Sequence, residues 1–313
     1  MTDQNDHKQV LKQKIDWWIY TIPILFILTI IFYILVQSRM GGMGGIIIFW
    51  LAPLTITFFS ILFLIIGIIR SAIKRPFVTK WRLLGFLGLI ALCFTHIIYG
   101  KYPSYYDDKP SKVKFRLPLD TLITIGWGGE TVKKNYHAEY PDQCWAYDML
   151  LMKNGKTYSG DSTKKENYYC YGLKIVSPAG GEIVQAYDED PEMPIGALGG
   201  GTDPHGNHII IEVAPKEFLI LCHLQPKSIK VKVGDMVKEG QELGLIGNSG
   251  NTSEPHLHIH LQDTRKLSIG EGIPLKFYHY TVDGKYVDVG IPTGGFDRND
   301  NFIGQTVQNT KQK

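Results

Sequence analysis

The chain has 313 residues, which is more than one ordinary domain needs, so we expect two regions. The first hundred residues contain nine Lys or Arg and three Asp or Glu, whereas the remaining residues contain 24 Lys or Arg and 27 Asp or Glu. This distribution excludes a broad basic surface for nucleic acid. Four cysteines, Cys93, Cys144, Cys170 and Cys222, are too few for a disulfide scaffold. Free thiols are expected, with a Cys144–Cys170 bridge as the alternative.

Three apolar runs, residues 17–36, 46–69 and 83–99, dominate the first hundred residues. A bilayer-spanning helix takes about 20 apolar residues, so the first two runs are long enough and the third is at the short end. The first run also lacks the small-residue cleavage site of a removable signal peptide. We therefore predict that residues 1–100 form a membrane anchor of three transmembrane helices.

Lysine and arginine residues beside these runs predict their orientation, because such residues accumulate in cytoplasmic loops. Eight of the nine lie in the N-terminal tail and in the loop between the second and third runs: Lys8, Lys12, Lys14, Arg70, Lys74, Arg75, Lys80 and Arg82. The first loop has only Arg39. A cytoplasmic N-terminus followed by three spans places everything after Tyr99 outside the membrane, as an exported domain on a multi-pass anchor.

Beyond the anchor, the sequence predicts a connector at 101–120, an all-β domain at 121–275 and a C-terminal extension at 276–313 with a frayed end from Gln305. The β domain has short β-type runs broken by Gly, Pro, Asn and Asp, without a long amphipathic helix. The strand candidates are Leu122–Trp127, Leu173–Ser177, Glu182–Ala186, His208–Val213, Phe218–Leu224, Ile229–Val233 and His256–Leu261. An antiparallel sandwich or barrel-like structure follows, with Asn154–Tyr171 as an inserted loop.

The most informative stretch is Gly244–His260, GLIGNSGNTSEPHLHIH. Its first half is rich in Gly and Asn, which favour tight turns. Its second half alternates imidazole and aliphatic residues, which is strand periodicity. His256 and His258 then share one face of a strand, roughly 6.7 Å apart. Such a pair suits a metal site in which one imidazole is a ligand and the other reaches water or substrate. The alternative is a solvent-facing strand.

Three further residues are candidate partners of this pair. Asp148 has apolar neighbours that suggest a strand, and a carboxylate there is paired, caps a turn or binds a metal, because burying it alone is costly. His137 lies eleven residues earlier and could meet Asp148 across a loop. His223 ends the apolar run that begins at Phe218.

The remaining histidines are expected to have other roles. His260 would lie about 13 Å from His256 along the strand, too far to serve as a ligand. His205 and His208 flank a turn and are expected to be structural, and His96, in the third apolar run, has no evident partner.

Several segments, in this order, resemble the lysostaphin/LytM-type zinc metallopeptidases. They are Asp148, SPAGGEIVQA (177–186), GNHIIIEV (206–213), His223-Leu224 and VKVGDMVKEGQELGLIGNSGNTSEPHLHIH (231–260). The resemblance covers roughly Asn135 to Leu261. It implies a duplicated-hybrid-motif β fold, one zinc ion per domain and endopeptidase action on the peptides of bacterial peptidoglycan.

The resemblance also implies roles for individual residues. His258 and Asp148 match zinc ligands, and His256 and His223 match catalytic histidines. The usual His-x-x-x-Asp pattern would place the remaining ligand at Cys144. A subgroup resembles Asn135-Tyr136-His137 followed by Gln143–Asp148 instead, which favours His137 over Cys144. Zinc also accepts a cysteine ligand.

The sequence therefore predicts a membrane-anchored zinc metalloendopeptidase of the bacterial plasma membrane, acting on peptidoglycan peptides outside the cell. One alternative is a catalytically inactive peptidase-like protein that binds the wall or regulates another hydrolase. Another is a biotinyl/lipoyl-like binding module of an envelope complex, because hairpins such as Ile229–Ile246 also occur in those carriers. A sensor or transporter role for the membrane region has only His96 and the loop arginines to support it.

Overall fold

The computed structural model describes residues 15–39, 41–99, 101–199, 203–297 and 301–310. The chain divides into two compact units, Met1–Ser38 with Ile47–Gly100 and Arg39–Ile46 with Lys101–Lys313. Within these described ranges, the first hundred residues form α1 (Thr21–Gln37), α2 (Gly42–Ile73), α3 (Lys80–Leu92) and α4 (His96–Tyr99), with a 3-10 turn at Trp17–Tyr20.

Among the described residues, two helical segments are long and apolar enough to cross a membrane. They are Trp17–Gln37, with 21 residues, and Gly42–Ile73, with 32. Only 17% and 22% of the residues in their most apolar windows are buried. Their apolar side chains therefore face outward, as lipid-facing side chains do, whereas the core helix of a water-soluble protein buries its apolar face. These two helices are consistent with a membrane anchor.

The third predicted span, Leu83–Tyr99, is not one continuous helix. α3 ends at Leu92, and the amides of Phe94 and Thr95 then bond to carbonyls three residues back, which turns the chain before α4. The 13 residues of α3 extend about 20 Å, short of a hydrocarbon core about 30 Å thick. The predicted count of three helical spans is thus not confirmed.

Glycines allow close packing inside the helical unit. The Trp18 side chain is fully buried. A Cβ atom added to Gly85 would lie 2.8 Å from the Trp18 ring, and one added to Gly67 would lie 3.1 Å from it. The buried Arg82 guanidinium lies 2.7 Å from the Asp16 carboxylate. These contacts hold α2, α3 and the start of the first helix together.

The second unit is a β structure, as the sequence predicts. Its strands are β1 (Ile123–Trp127), β2 (Tyr147–Leu150), β3 (Lys174–Val176), β4 (Gly181–Tyr187), β5 (His208–Ala214), β6 (Glu217–Cys222), β7 (Met236–Val237), β8 (Glu242–Leu245), β9 (Leu257–Gln262), β10 (Phe277–Val282), β11 (Lys285–Gly290) and β12 (Thr306–Asn309). Over the described residues, ten strands form one antiparallel sheet in the order β11-β10-β12-β1-β2-β9-β6-β5-β4-β7, and β3 pairs with β8.

Two local predictions differ from the structure. Ile229–Val233 is not a strand, because its last residue already forms a turn with Gly234 and only isolated backbone bonds are made, such as that from Lys230 to Leu243. The predicted frayed end is wrong for residues 305–310, since β12 pairs with both β1 and β10 and Val307 is fully buried. Residues 311–313 lie outside the described ranges.

Strand β9 separates the hydrophobic core from the candidate site. Leu257, Ile259 and Leu261 are fully buried in the main hydrophobic cluster. His258 and His260 alternate with them and therefore point to the opposite face of the sheet. β9 lies between β2 and β6, so side chains from three adjacent strands can meet on that face.

Candidate metal centre

Asp148 and His258 face each other across neighbouring strands. β2 pairs with β9 so that Asp148 is the direct partner of His258. The Asp148 Oδ1 atom lies 2.9 Å from His258 Nδ1, and both residues are buried. Direct antiparallel partners have their side chains about 5 Å apart at Cβ, which explains how residues 110 positions apart come into contact.

His137 reaches the same carboxylate from a 3-10 helix at Tyr136–Glu139. Its Nε2 atom lies 3.5 Å from Asp148 Oδ1. One donor atom from each of His137, Asp148 and His258 lies within 4.8 Å of the others, and all three residues are buried. The structure thus brings together the three residues that the sequence analysis favours as ligands.

The side chain of Asn135 orients His137. Its Nδ2 atom donates to the carbonyl oxygens of Gly129 (3.1 Å) and Ala146 (2.9 Å). The Asn135 Oδ1 atom therefore faces His137, 2.9 Å from Nδ1. Because an amide oxygen only accepts, His137 Nδ1 carries the proton and Nε2 keeps its lone pair. Burial also lowers the pKa of His137 to about 3, which keeps the imidazole neutral.

His223 and His256 lie beside this cluster. His223 follows β6 in a left-handed backbone conformation with φ of 66°, and its Nδ1 atom lies 2.8 Å from the Ser249 carbonyl oxygen. His256 Nδ1 lies 2.8 Å from the Glu254 carbonyl oxygen. A carbonyl only accepts, so each Nδ1 donates and each Nε2 is left as an acceptor. The centroids of the two rings are 4.8 Å apart.

The electrostatics of the site centre on the Asp148 carboxylate. Burial acts to raise the pKa of Asp148, but His137, His256 and His258 outweigh it and hold the pKa well below its ordinary value. His256 Nε2 lies 3.5 Å from Asp148 Oδ1, and the Tyr136 hydroxyl donates to Oδ2 over 3.3 Å. Asp148 is therefore a buried anion surrounded by imidazoles, an environment that suits a cation.

Cys144 is not part of the cluster. Its thiol is fully buried 3.9 Å from the Gly272 carbonyl oxygen, and burial raises its pKa. All four cysteines are free, so the alternative Cys144–Cys170 bridge is absent.

Two other histidines make local contacts, as the sequence analysis expects. His205 Nδ1 lies 2.8 Å from Asp203 Oδ1, and His208 Nδ1 lies 2.6 Å from the Gly206 carbonyl oxygen. His260 differs, because its Nδ1 atom lies 3.0 Å from His258 Nε2. The sequence predicts a long distance between His260 and His256, but the imidazole that His260 contacts belongs to its nearer neighbour, His258.

Asp148 and His256 open onto a cleft of 620 Å³. Its apolar lining includes Trp127, Tyr136, Leu150, Met152, Leu198, Phe296 and Phe302, and its polar lining includes Asn251, Thr252, Ser253 and Glu254. Sequence patterns indicated neither the two C-terminal phenylalanines nor the role of Asn135. A larger cavity of 830 Å³, between Lys114–Arg116 and the β10–β11 hairpin, is lined by other residues.

These features define a β-sheet protein with a candidate mononuclear metal centre that opens onto a cleft. Residues 168–269 match the family model described as Peptidase family M23. The chain therefore carries a domain of peptidase family M23, the family of LytM and lysostaphin, and the resemblance seen in the sequence is confirmed. The matched segment contains His223, His256 and His258, whereas His137 and Asp148 precede it.

Individual relatives cover only part of the molecule. The cell division protein DipM of Caulobacter vibrioides (strain NA1000 / CB15N) is 30% identical over 91 residues, which are 29% of this chain and 14% of DipM. A zinc-containing peptidase from Vibrio cholerae is 18% identical, with 56% of this chain and 39% of that chain covered and a TM-score of 0.31. The catalytic domain of lysostaphin from Staphylococcus simulans is 20% identical, with 52% of this chain and 87% of that chain covered and a TM-score of 0.27.

Proposed function

We propose that this chain is a membrane-anchored zinc metalloendopeptidase that hydrolyses peptide bonds of peptidoglycan outside the plasma membrane. The observation that carries the proposal is the buried cluster of His137, Asp148 and His258, whose donor atoms lie within 4.8 Å of one another. The M23 domain supports peptidase chemistry. We also assign its β structure to the duplicated-hybrid-motif fold that the resemblance implies.

The donor set fits zinc. Catalytic zinc sites use three protein ligands of this kind, imidazole nitrogens and a carboxylate oxygen, and keep a fourth position open. His137 offers Nε2 with a free lone pair, and Asp148 offers a buried carboxylate oxygen 2.9 Å from His258 Nδ1. Zinc bound there would supply a Lewis acid that polarises a peptide carbonyl and lowers the pKa of water toward roughly 7.

His223 and His256 would handle the protons of the reaction. In each, the Nδ1–H group donates a hydrogen bond to a backbone carbonyl, so Nε2 is available to accept a proton from the attacking water. The imidazole that has gained a proton can donate it to the oxyanion or to the departing amine. We assign these tasks to the pair because the two rings lie side by side and His256 Nε2 is 3.5 Å from Asp148 Oδ1.

The cleft and the relatives support a peptide substrate of the cell wall. Trp127, Tyr136 and Phe296 provide flat apolar surfaces beside the cluster, and clefts that bind ligands combine such surfaces with a few polar groups. Among the relatives, DipM is described as a cell division protein, and a dividing bacterial cell remodels its peptidoglycan wall.

Removal of the metal tests the proposal directly. We expect the purified full-length chain to contain about one zinc ion, to release peptides from isolated peptidoglycan and to lose that activity after chelation. Re-addition of zinc should restore it. Elemental analysis and a peptide-release assay measure the two properties. A parent chain that takes up no zinc would overturn the proposal and favour the binding-module alternative, whereas zinc without hydrolysis would favour an inactive peptidase-like protein.

The location of the domain depends on the number of spans. With a cytoplasmic N-terminus, two spans would return the chain to the cytoplasm and three would place Lys101 and the following residues outside. We propose three spans, with α3 and α4 together forming the third. The basic residues support the cytoplasmic N-terminus, because Arg70, Lys74 and Arg75 at the end of α2 would then lie on the same side as the N-terminal tail. The third span rests on the apolar run at residues 83–99.

Cysteine labelling distinguishes the two topologies. We expect Lys112→Cys to react with a membrane-impermeant maleimide in intact spheroplasts, and Lys74→Cys to react only after permeabilisation, because both side chains are exposed but belong to opposite sides. The parent chain, whose Cys144, Cys170 and Cys222 are buried, measures the background. Protection of Lys112→Cys in intact spheroplasts would instead indicate an even number of spans.

A further inference from the structure

Strand β9 carries a row of buried, hydrogen-bonded side chains that begins at the candidate ligand His258 and runs away from the candidate metal centre. His258 Nε2 lies 3.0 Å from His260 Nδ1. His260 Nε2 lies 3.3 Å from Gln262 Oε1. His260 and Gln262 are both fully buried. The three side chains alternate along one strand and so occupy the same face of the sheet.

The amide of Gln262 sets the direction of these hydrogen bonds. Its Nε2 atom donates to the carbonyl oxygens of Thr264 (2.6 Å) and Lys266 (3.0 Å). The opposite orientation would place the amide oxygen against two other acceptors. Gln262 Oε1 therefore faces His260 and accepts a hydrogen bond from its Nε2–H group. A neutral His260 then has no proton on Nδ1, which is the atom that faces His258.

The proton positions continue into the candidate metal centre. Because His260 Nδ1 is an acceptor, His258 Nε2 carries the proton between the two rings. His258 Nδ1 then offers a lone pair 2.9 Å from Asp148 Oδ1. Two acceptors at that distance need a cation between them. His137 is prepared in the same way by the Asn135 amide, which is itself oriented by two carbonyl oxygens.

We propose that His260 and Gln262 are positioning residues, which hold His258 in the tautomer that presents Nδ1 to the metal. This inference rests on the proposed function, because it assigns the pair a task toward zinc. Neither residue belongs to the candidate ligands or to the two catalytic histidines. Hydrogen-bond partners of ligand histidines raise metal affinity by fixing the ring and its tautomer.

A matched pair of substitutions tests the inference. Leucine and asparagine have similar branched shapes, but only asparagine places an acceptor oxygen near the position of His260 Nδ1. We expect His260→Leu to weaken zinc binding by the full-length chain about 10- to 100-fold in a chelator competition. We expect His260→Asn to remain close to the parent. Thermal unfolding of the metal-free chains is the control that each variant folds, because leucine leaves the buried His258 Nε2 and Gln262 Oε1 atoms without their partner.

Gln262→Met examines the other end of the chain of hydrogen bonds. Without Oε1, His260 can hold its proton on Nδ1, where it opposes the proton of His258, so zinc affinity should fall in the same direction as in His260→Leu. Equal zinc affinity in parent and His260→Leu, or equal losses in His260→Leu and His260→Asn, would overturn the inference and leave the proposed function standing. A parent chain that binds no zinc would overturn both.

Discussion

Zinc is expected to be lost when either proposed histidine ligand, His137 or His258, is removed. It is expected to be retained when Cys144 is removed. His258→Ala and His137→Ala each take one imidazole from a three-ligand set, so zinc affinity should fall by more than about 100-fold. Cys144→Ala removes a thiol that lies against Gly272, outside the cluster. This chain should keep about one zinc ion. Chelator competition and elemental analysis of the full-length chains measure the difference.

This comparison decides between the two ligands that the sequence left as alternatives. Zinc retained in His137→Ala and lost in Cys144→Ala would move the third ligand to Cys144 and contradict the geometry of the cluster. Thermal unfolding of the metal-free chains provides the control, since a variant that fails to fold would lose zinc for a different reason.

Asp148→Asn should weaken zinc binding without changing the fold, because the amide keeps the shape of the carboxylate without its charge.

Loss of hydrolysis without loss of zinc is the property expected to distinguish His223 and His256 from the zinc ligands. His223→Asn and His256→Asn should keep zinc and lower the rate of peptide release by about 10²- to 10⁴-fold. Asparagine retains a donor near the position of Nδ1, which can still bond to the Ser249 or Glu254 carbonyl, but it has no counterpart of Nε2. Asparagine also tolerates the left-handed conformation of residue 223.

His279→Asn is a matched control for these substitutions. His279 also has a positive φ, of 52°, but its side chain is exposed on the β10–β11 hairpin and lines the other cavity. Its substitution should leave both zinc content and hydrolysis unchanged. If His223→Asn and His256→Asn both hydrolyse peptidoglycan at the parent rate, neither histidine handles protons in the reaction.

Short-range patterns in the sequence were enough to predict part of the site. The alternation of His256, Leu257 and His258 depends only on strand geometry, so the division into a core face and a site face could be predicted. Asp148 could be selected because burying a carboxylate among apolar neighbours requires a partner. The two long apolar helices follow from composition alone. Composition does not indicate the break after Leu92, because the run stays mainly apolar to Tyr99, with only Thr95 and His96 as clearly polar residues.

Other features depend on residues that are distant in the sequence. The His260 estimate considered spacing along one strand, but side chains lean along the strand, and His260 reaches its nearer neighbour, His258. The orientation of Asn135 depends on two carbonyl oxygens, at Gly129 and Ala146, that loops bring together. The sequence predicts a frayed end from Gln305, because the last residues of a chain are commonly poorly ordered. Its single buried residue, Val307, nevertheless pairs with β1.

The sequence by itself determined the two-region organisation, the β character of the second region, its family and five of the side chains at the site, because these depend on composition, strand periodicity and local motifs. Only the tertiary structure decided which side chains meet: His137 with Asp148, His260 with His258, and Phe296 with the cleft. The physical reason is that such contacts follow from sheet register and loop paths, which are set by the packing of the whole domain.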